Sequence, residues 1–158
     1  MDTLVERAVQ HSTFTIERTF AAPPATVFAA WSSREAKSRW FGGTTGKWKE
    51  LRRELDFKAG GREVLRGQWT DGPMSNFEAR YHEIVPGERI VYAYDMYIDD
   101  RRISISLATV QFRPAGTGTK LIVTEQGAFL DGHDDAGSRE RGTGALMDKL
   151  EGALWRPA

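Results

Sequence analysis

The sequence predicts an α+β domain, in which a strongly bent antiparallel sheet of about seven strands wraps around one long C-terminal helix. Three observations predict it. Every segment from Trp48 to Phe129 has strand character, and short turn signals divide these segments. The last segment, 138–155, returns to helical spacing. The resulting order of one strand, two short helices, six strands and a long helix is typical of a sheet packed against a helix.

The first strand and the two short helices occupy the segment before Trp48. Alternation over 13–20, with Phe14, Ile16 and Phe20 in one phase, predicts a strand. Pro24 suits the first turn of a helix, and apolar residues follow it at helical spacing. They are Val27, Phe28, Ala30 and Trp31. A second short helix is predicted from Arg34 to about Trp40, where glycines end it.

Five turn signals divide the strand-rich region, and consecutive strands joined by short turns pair antiparallel. The signals are AGG (59–61), TDGP (70–73), VPGE (85–88), IDDR (98–101) and PAGTG (114–118). The sheet must bend to accept the terminal helix on its concave side. Since helix and sheet meet fully at one end only, we expect a cavity between them.

The terminal helix is amphipathic. Its apolar face carries Thr143, Leu146, Met147, Leu150 and Leu154. Its polar face carries Glu140, Asp148, Lys149 and Glu151. We therefore expect the first face to pack against the sheet.

Composition predicts one soluble domain over 1–158, with residues 1–11 as a flexible N-terminal extension. The formal net charge is zero, so we expect neither a nucleic acid nor a membrane as partner. The chain has no cysteine, which excludes disulfides, thiolate metal sites and a cysteine nucleophile. The N-terminus lacks the pattern of a signal peptide, and we expect a cytoplasmic location.

The chain offers no strong motif for a metal or a cofactor. Asp131, His133, Asp134 and Asp135 stand close together, but such residues also cap and charge a helix N-terminus, so we expect no metal. The glycine pairs 42–43 and 60–61 fit neither nucleotide-binding pattern, and we expect no cofactor. No GxSxG motif occurs, which leaves nucleophilic catalysis unsupported.

Several motifs in register resemble the START-like superfamily, also called SRPBCC or helix-grip proteins. Within it, the chain is similar to the heat-shock-ATPase-activator-homology (AHSA-type) family. The motifs are ERTFAAPPATVFAAWSSREAKSRWFGG (17–43), DFKAGG (56–61), YHEIVPGERIVYAY (81–94), GTGTKLIVTEQG (116–127) and RERGTGALMDKLEGAL (139–154). Together they span almost the whole chain.

The resemblance implies a helix-grip fold with a cavity for apolar or amphipathic molecules, in a group that contains carriers, cyclases and chaperone cofactors. The chain departs from the family pattern at two places. Lys58 replaces an arginine before the paired glycines, and Gly142-Thr143 replaces a Gly-Trp near the start of the last helix. Because threonine is much smaller than tryptophan, we expect a roomier cavity there.

Strand parity nominates the cavity wall. If the 114–118 turn pairs Val110 with Val123, then Ser104, Ser106 and Ala108 share a face with Glu125. Across the 98–101 turn, Tyr92, Tyr94 and Met96 lie beside Ala108, Ser106 and Ser104. The candidate ligand-binding residues are Arg53, Trp69, Phe77, Tyr81, Tyr92, Tyr94, Met96, Ser104, Ser106, Ala108, Glu125, Thr143 and Met147.

Glu125 is the one weak candidate for a catalytic residue, and it has two interpretations. It could be a cavity carboxylate with a raised pKa that abstracts a proton or holds a ligand donor. Alternatively, it could pair with Arg53, which the phase of Leu51, Leu55 and Phe57 turns inward; we favour this ion pair. Arg139 and Thr143 lie in the opening turns of the last helix, where the mouth of a cavity would be; the alternative for Arg139 is an exposed surface position.

Three functions remain open. The first is binding of a small apolar or amphipathic molecule; the second is a module that modulates a chaperone ATPase through a protein partner. The third is a cyclase or hydrolase that uses Glu125, and we rank it below binding because a single carboxylate without a partner base is thin evidence for an enzyme.

The side chains of Val91 and Ala93 alternate with those of Tyr92 and Tyr94 and therefore point to the other face of the sheet, away from the cavity. These two apolar residues predict a homodimer surface on that face.

Overall fold

The computed structural model describes residues 6–43 and 46–154. Its elements follow the predicted order: one strand, two short helices, six strands and one long helix. They are β1 (Val9–Phe20), α1 (Pro24–Ala29), α2 (Arg34–Ser38), β2 (Trp48–Leu55), β3 (Arg62–Trp69), β4 (Met74–Val85), β5 (Arg89–Ile98), β6 (Arg101–Ala115), β7 (Gly118–Leu130) and α3 (Ala136–Leu154). The α+β helix-grip prediction is confirmed.

All seven strands form one antiparallel sheet in the order β1-β7-β6-β5-β4-β3-β2. Strands β2 to β7 follow one another as a meander, whereas β1 crosses to the far edge and pairs with β7, so that Ile16 lies opposite Val123. The two short helices between β1 and β2 therefore span from one edge of the sheet to the other.

The predicted registers are confirmed. Val110 lies opposite Val123. Tyr92, Tyr94 and Met96 lie opposite Ala108, Ser106 and Ser104 in turn. The two hairpin turns thus align an aromatic strand with a strand of small side chains, and this alignment leaves space on the inner face of the sheet.

The inner face and α3 enclose the core. Thr143, Met147 and Leu150 of α3 are buried, and Leu146 and Leu154 are partly buried against the core, so the predicted apolar face is confirmed. Burying such a face stabilises the fold by roughly 25 cal/mol per Å² of apolar surface removed from water. Within residues 6–43 and 46–154, no helix has the length and apolar character that crossing a membrane requires.

Two boundary details differ from the predictions. Strand β1 begins at Val9, so residues 9–11 of the predicted flexible extension pair with β7; residues 1–5 lie outside the described part of the chain. Leu51 is 48% exposed instead of facing inward. The register of β2 against β3 shifts between Glu50 and Arg52, which takes Leu51 out of the simple alternation.

Candidate functional site

A cavity of about 460 Å³ lies between the inner face of the sheet and α3. Eight aromatic side chains line it, and α3 closes one side with Thr143, Leu146 and Met147. The aromatic lining residues are Trp31, Trp40, Phe41, Trp48, Trp69, Phe77, Tyr92 and Tyr94. A volume of this size suits a small organic ligand.

The rings hold one another in fixed orientations. Trp31 and Trp40, which follow α1 and α2, meet edge to face with ring centroids 4.6 Å apart. The ring centroid of Phe77 in β4 lies 4.9 Å from the ring centroid of Tyr94 in β5. Because interlocked aromatic side chains lose little freedom when a ligand arrives, this wall is largely preformed.

One end of the cavity is polar and is formed by Glu125, Tyr94, Thr143 and Arg139, which we call the polar end. The Tyr94 hydroxyl donates to Glu125 Oε1, and Thr143 Oγ1 donates to Glu125 Oε2 at 3.2 Å. Arg139 Nη1 donates to the Tyr94 oxygen at 3.0 Å. The tyrosine hydroxyl therefore bridges a carboxylate and a guanidinium.

Burial shifts the acid–base chemistry of the polar end. The loss of solvation raises the pKa of Glu125 above its ordinary value, although the Tyr94 hydrogen bond, the Arg139 charge and the Thr143 hydrogen bond oppose this rise. Burial also raises the pKa of Tyr94, with the nearby Glu125 charge acting in the same direction. The tyrosine is therefore a neutral hydroxyl group throughout the physiological range.

Arg139 lines the cavity, and the alternative of an exposed surface position does not hold. Its side chain is only 12% exposed. Nη2 donates to Ser104 Oγ at 2.7 Å and to Asp134 Oδ2 at 2.9 Å. The first turn of α3 lies over the end of β6, and these acceptors offset the desolvation of the guanidinium.

The favoured ion pair between Glu125 and Arg53 is also wrong. Arg53 Nε instead pairs with Glu50 at 2.8 Å, and its Nη2 donates to the carbonyl oxygen of Phe41 at 2.5 Å. Both residues face inward, as predicted, but β2 and β7 are separated by four other strands of the sheet. Parity assigns a side chain to a face and leaves its position across that face undetermined.

Comparison with known proteins was decisive for the family. The sequence profile described as activator of Hsp90 ATPase homolog 1-like protein matches residues 21–154. The chain belongs to this family. No curated protein matches the chain.

Solved structures of similar proteins share the helix-grip fold of the Hsp90 ATPase activator homolog 1-like family. A protein from Rhizobium leguminosarum is 46% identical with a TM-score of 0.91, covering 96% of this chain and 99% of its own. The Mll3558 protein from Rhizobium loti is 42% identical with a TM-score of 0.85, covering 92% and 99%. The CV1439 protein from Chromobacterium violaceum is 25% identical with a TM-score of 0.74, covering 92% and 98%.

Eight of the thirteen candidate residues line the cavity of this family member, and five lie outside its lining. The eight are Trp69, Phe77, Tyr92, Tyr94, Met96, Glu125, Thr143 and Met147. The other five are Arg53, Tyr81, Ser104, Ser106 and Ala108, all buried. Of these, Ser104 supports Arg139, and Ala108 and Ser106 make room for the tyrosines opposite them.

Sequence reasoning missed two parts of the wall: Trp31, Trp40 and Phe41, which follow the short helices, and Trp48, the first residue of β2. A signal for Trp48 existed. Gly67 lies inside β3, where a glycine marks the close approach of another group. A Cβ atom at Gly67 would lie 1.8 Å from the Trp48 ring, so the glycine makes room for that indole.

A second buried polar cluster, also missed, lies behind the aromatic wall. Lys37 of α2 and Glu63 of β3 are both buried, and Lys37 Nζ donates to Glu63 Oε1. The Tyr81 hydroxyl donates to the same oxygen at 2.7 Å. Lys37 Nζ lies 4.4 Å from the ring centroid of Phe41. Burial lowers the pKa of Lys37, while the charge of Glu63 opposes this shift.

The acidic segment after β7 has structural roles. Asp131 pairs with Arg7 at 2.8 Å, and Asp135 Oδ1 accepts the Ser138 amide hydrogen at 2.8 Å as a cap on α3. Asp134 accepts from Arg139. Throughout 6–43 and 46–154, His, Asp and Glu form no group of three or more that could hold a metal ion.

Proposed function

We propose that the protein binds a small apolar or amphipathic molecule in the aromatic cavity. The observation that carries the proposal is the cavity itself: about 460 Å³, walled by rings, with one polar end. A concave apolar site with a few convergent polar groups is the usual form of a small-molecule site. The family match supports the fold on which this cavity depends.

The two parts of the cavity have different roles in this proposal. Burial of apolar ligand surface against the rings drives binding, at roughly 25 cal/mol per Å². Glu125 and Arg139 orient the polar part of the ligand at the polar end. Thr143, on the helical wall, leaves volume that a larger side chain would fill.

The test uses Thr143→Trp, which fills the cavity from α3. A panel of apolar and amphipathic compounds is screened by thermal shift, and the hits are measured by calorimetry. We expect some compounds to raise the melting temperature of the unmodified protein, and Thr143→Trp to weaken their binding by about ten-fold or more, because it removes ligand volume.

The matched control is Asp148→Trp, which adds the same side chain to an exposed position of α3. It should bind the hits as the unmodified protein does. The proposal is wrong if no compound in a broad panel raises the melting temperature and native mass spectrometry of the purified protein finds no retained molecule.

A second candidate function is modulation of a chaperone ATPase, as the description of the family indicates. The observation that favours it lies on the outer face of the sheet, where Ile105 and Leu107 are each 39% exposed. Neighbouring apolar side chains on an open sheet face suit a protein partner. Adding the protein to Hsp90 should then raise the ATPase rate, and Leu107→Lys should abolish the rise; an unchanged rate would exclude this function.

A further inference from the structure

We infer that the polar end selects a neutral aromatic hydroxyl, so that the ligand is a phenol-type ring compound in preference to a carboxylate or an ammonium. This inference rests on the proposed function and specifies its ligand chemistry.

The Tyr94 side chain shows which group this pair of charges accommodates. Its hydroxyl donates to Glu125 Oε1 and accepts from Arg139 Nη1 at 3.0 Å, so one phenol satisfies both partners. A hydroxyl is the smallest group that donates and accepts at the same atom. A ligand phenol at the cavity side of the polar end would repeat this arrangement.

Arg139 and Glu125 can each form a further hydrogen bond, to the hydroxyl of a ligand. A guanidinium has five N–H groups, and the bonds of Arg139 to Tyr94, Ser104 and Asp134 use three of them. A carboxylate has about four acceptor positions, and Tyr94 and Thr143 occupy two at Glu125. Both Glu125 and Arg139 line the cavity, and the proposal assigns their remaining positions to the ligand.

Charge argues against ionic ligands. Glu125 is only 4% exposed, so a ligand carboxylate beside it would meet weakly screened repulsion. A ligand ammonium has no acceptor for the remaining N–H groups of Arg139, so it cannot bridge the guanidinium and the carboxylate as a hydroxyl does. A neutral hydroxyl avoids both penalties and still hydrogen-bonds to both groups.

The aromatic wall of the cavity favours a ligand that contains an aromatic ring. The ring centroid of Tyr94 lies 4.9 Å from that of Phe77 and 6.0 Å from that of Tyr92, and both pairs are tilted. A planar aromatic ligand can pack against these rings in the same tilted arrangement. The hydroxyl and the ring together define the proposed class.

The test measures four ligands that share one ring system: 2-naphthol, 2-naphthoate, (2-naphthyl)methylammonium and naphthalene. Binding to the full chain is measured at neutral pH by calorimetry or by quenching of tryptophan fluorescence. We expect 2-naphthol to bind at least about ten-fold more tightly than naphthalene, since a hydrogen bond to a charged group commonly contributes that much. We also expect it to bind more tightly than either ion, because neither ion both donates and accepts a hydrogen bond at one atom.

Glu125→Gln tests the assigned group. It should lower the affinity for 2-naphthol by about ten-fold and leave naphthalene binding unchanged, because naphthalene makes no hydrogen bond. The matched control, Glu17→Gln, changes an exposed glutamate of β1 and should bind all four ligands normally. If Glu125→Gln does not fold, the order of the four affinities measured on the unmodified protein still tests the inference.

Two results would overturn the inference and leave the cavity proposal standing: equal or tighter binding of either ion than of 2-naphthol, or naphthol affinity unchanged in a folded Glu125→Gln variant. If none of the four compounds binds and the broad panel also gives no hit, the proposed function fails, and the inference fails with it.

Discussion

Lys37 Nζ lies 2.5 Å from Glu63 Oε1, and the two side chains are 1% and 2% exposed. The Tyr81 hydroxyl donates to the same carboxylate oxygen at 2.7 Å. This buried pair joins α2 to β3 directly behind the rings of the cavity wall. Each partner depends on the other, because an unpaired charge in this position would have neither water nor a counterion.

Lys37→Met should destabilise the protein by about 3 to 5 kcal/mol, because it leaves Glu63 as an unpaired buried carboxylate. Urea unfolding followed by circular dichroism measures the change. The double variant Lys37→Met with Glu63→Gln should be more stable than Lys37→Met alone, since the amide carries no charge and can still accept from Tyr81. Equal stability of Lys37→Met and the unmodified protein would contradict the assigned role of this pair.

The raised pKa of Glu125 predicts how stability depends on pH. The folded state holds the Glu125 proton more tightly than the unfolded state, for which the ordinary value is 4.5. The stability that comes from this proton is therefore fully present below that value and is lost as pH rises through the raised pKa. Glu125→Gln has no such proton to lose.

Urea unfolding of the unmodified protein and of Glu125→Gln, repeated from about pH 4 to about pH 8, measures this effect. The difference in unfolding free energy between them should shift steadily in favour of the variant as pH rises. Glu17→Gln, which removes an exposed carboxylate of β1, is the matched control for the substitution. A difference that stays constant over the whole range would show that burial does not raise this pKa.

Gly67→Ala should disturb the cavity wall. The added Cβ would lie 1.8 Å from the Trp48 ring, so the indole must move out of its place beside β3. We expect a loss of stability of about 1 to 3 kcal/mol, as for other overpacked sites. Ligand affinity should fall as well, because Trp48 lines the cavity.

Gly152→Ala is the matched control for that substitution. Its Cβ would have no heavy atom within 4 Å, and the residue lies in α3. Alanine should therefore raise stability by up to about 1 kcal/mol through helix propensity alone. Similar effects of the two substitutions would contradict the assignment of Gly67 to close packing with Trp48.

Much of the fold could be predicted because its signals are local. A turn such as 114–118 sets the register of the two strands that it joins, so the pairing of Val110 with Val123 followed from a few neighbouring residues. Side-chain alternation then assigned Tyr92, Tyr94 and Glu125 to the inner face. These residues do lie together at the cavity.

The ionic partners could not be predicted in the same way. Arg53 and Glu125 share a face of the sheet and still lie on strands far apart in it. Arg139 reaches Ser104 and Tyr94 only because the first turn of α3 lies above β5 and β6. Strand parity and helical spacing contain no information about the distance between Arg53 and Glu125, or about the distance from Arg139 to its partners.

The order of the elements, the inward faces of β5, β6 and β7 and the registers across the 98–101 and 114–118 turns follow from the sequence alone, since they depend on residues close together in the chain. Which charges pair, and where the cavity becomes polar, follow from the tertiary structure. Lys37 meets Glu63, and Tyr94 bridges Glu125 and Arg139, because the bend of the sheet and the packing of α2 and α3 bring them within hydrogen-bonding distance. These distances depend on the twist summed over several strands, and no short stretch of sequence determines that sum.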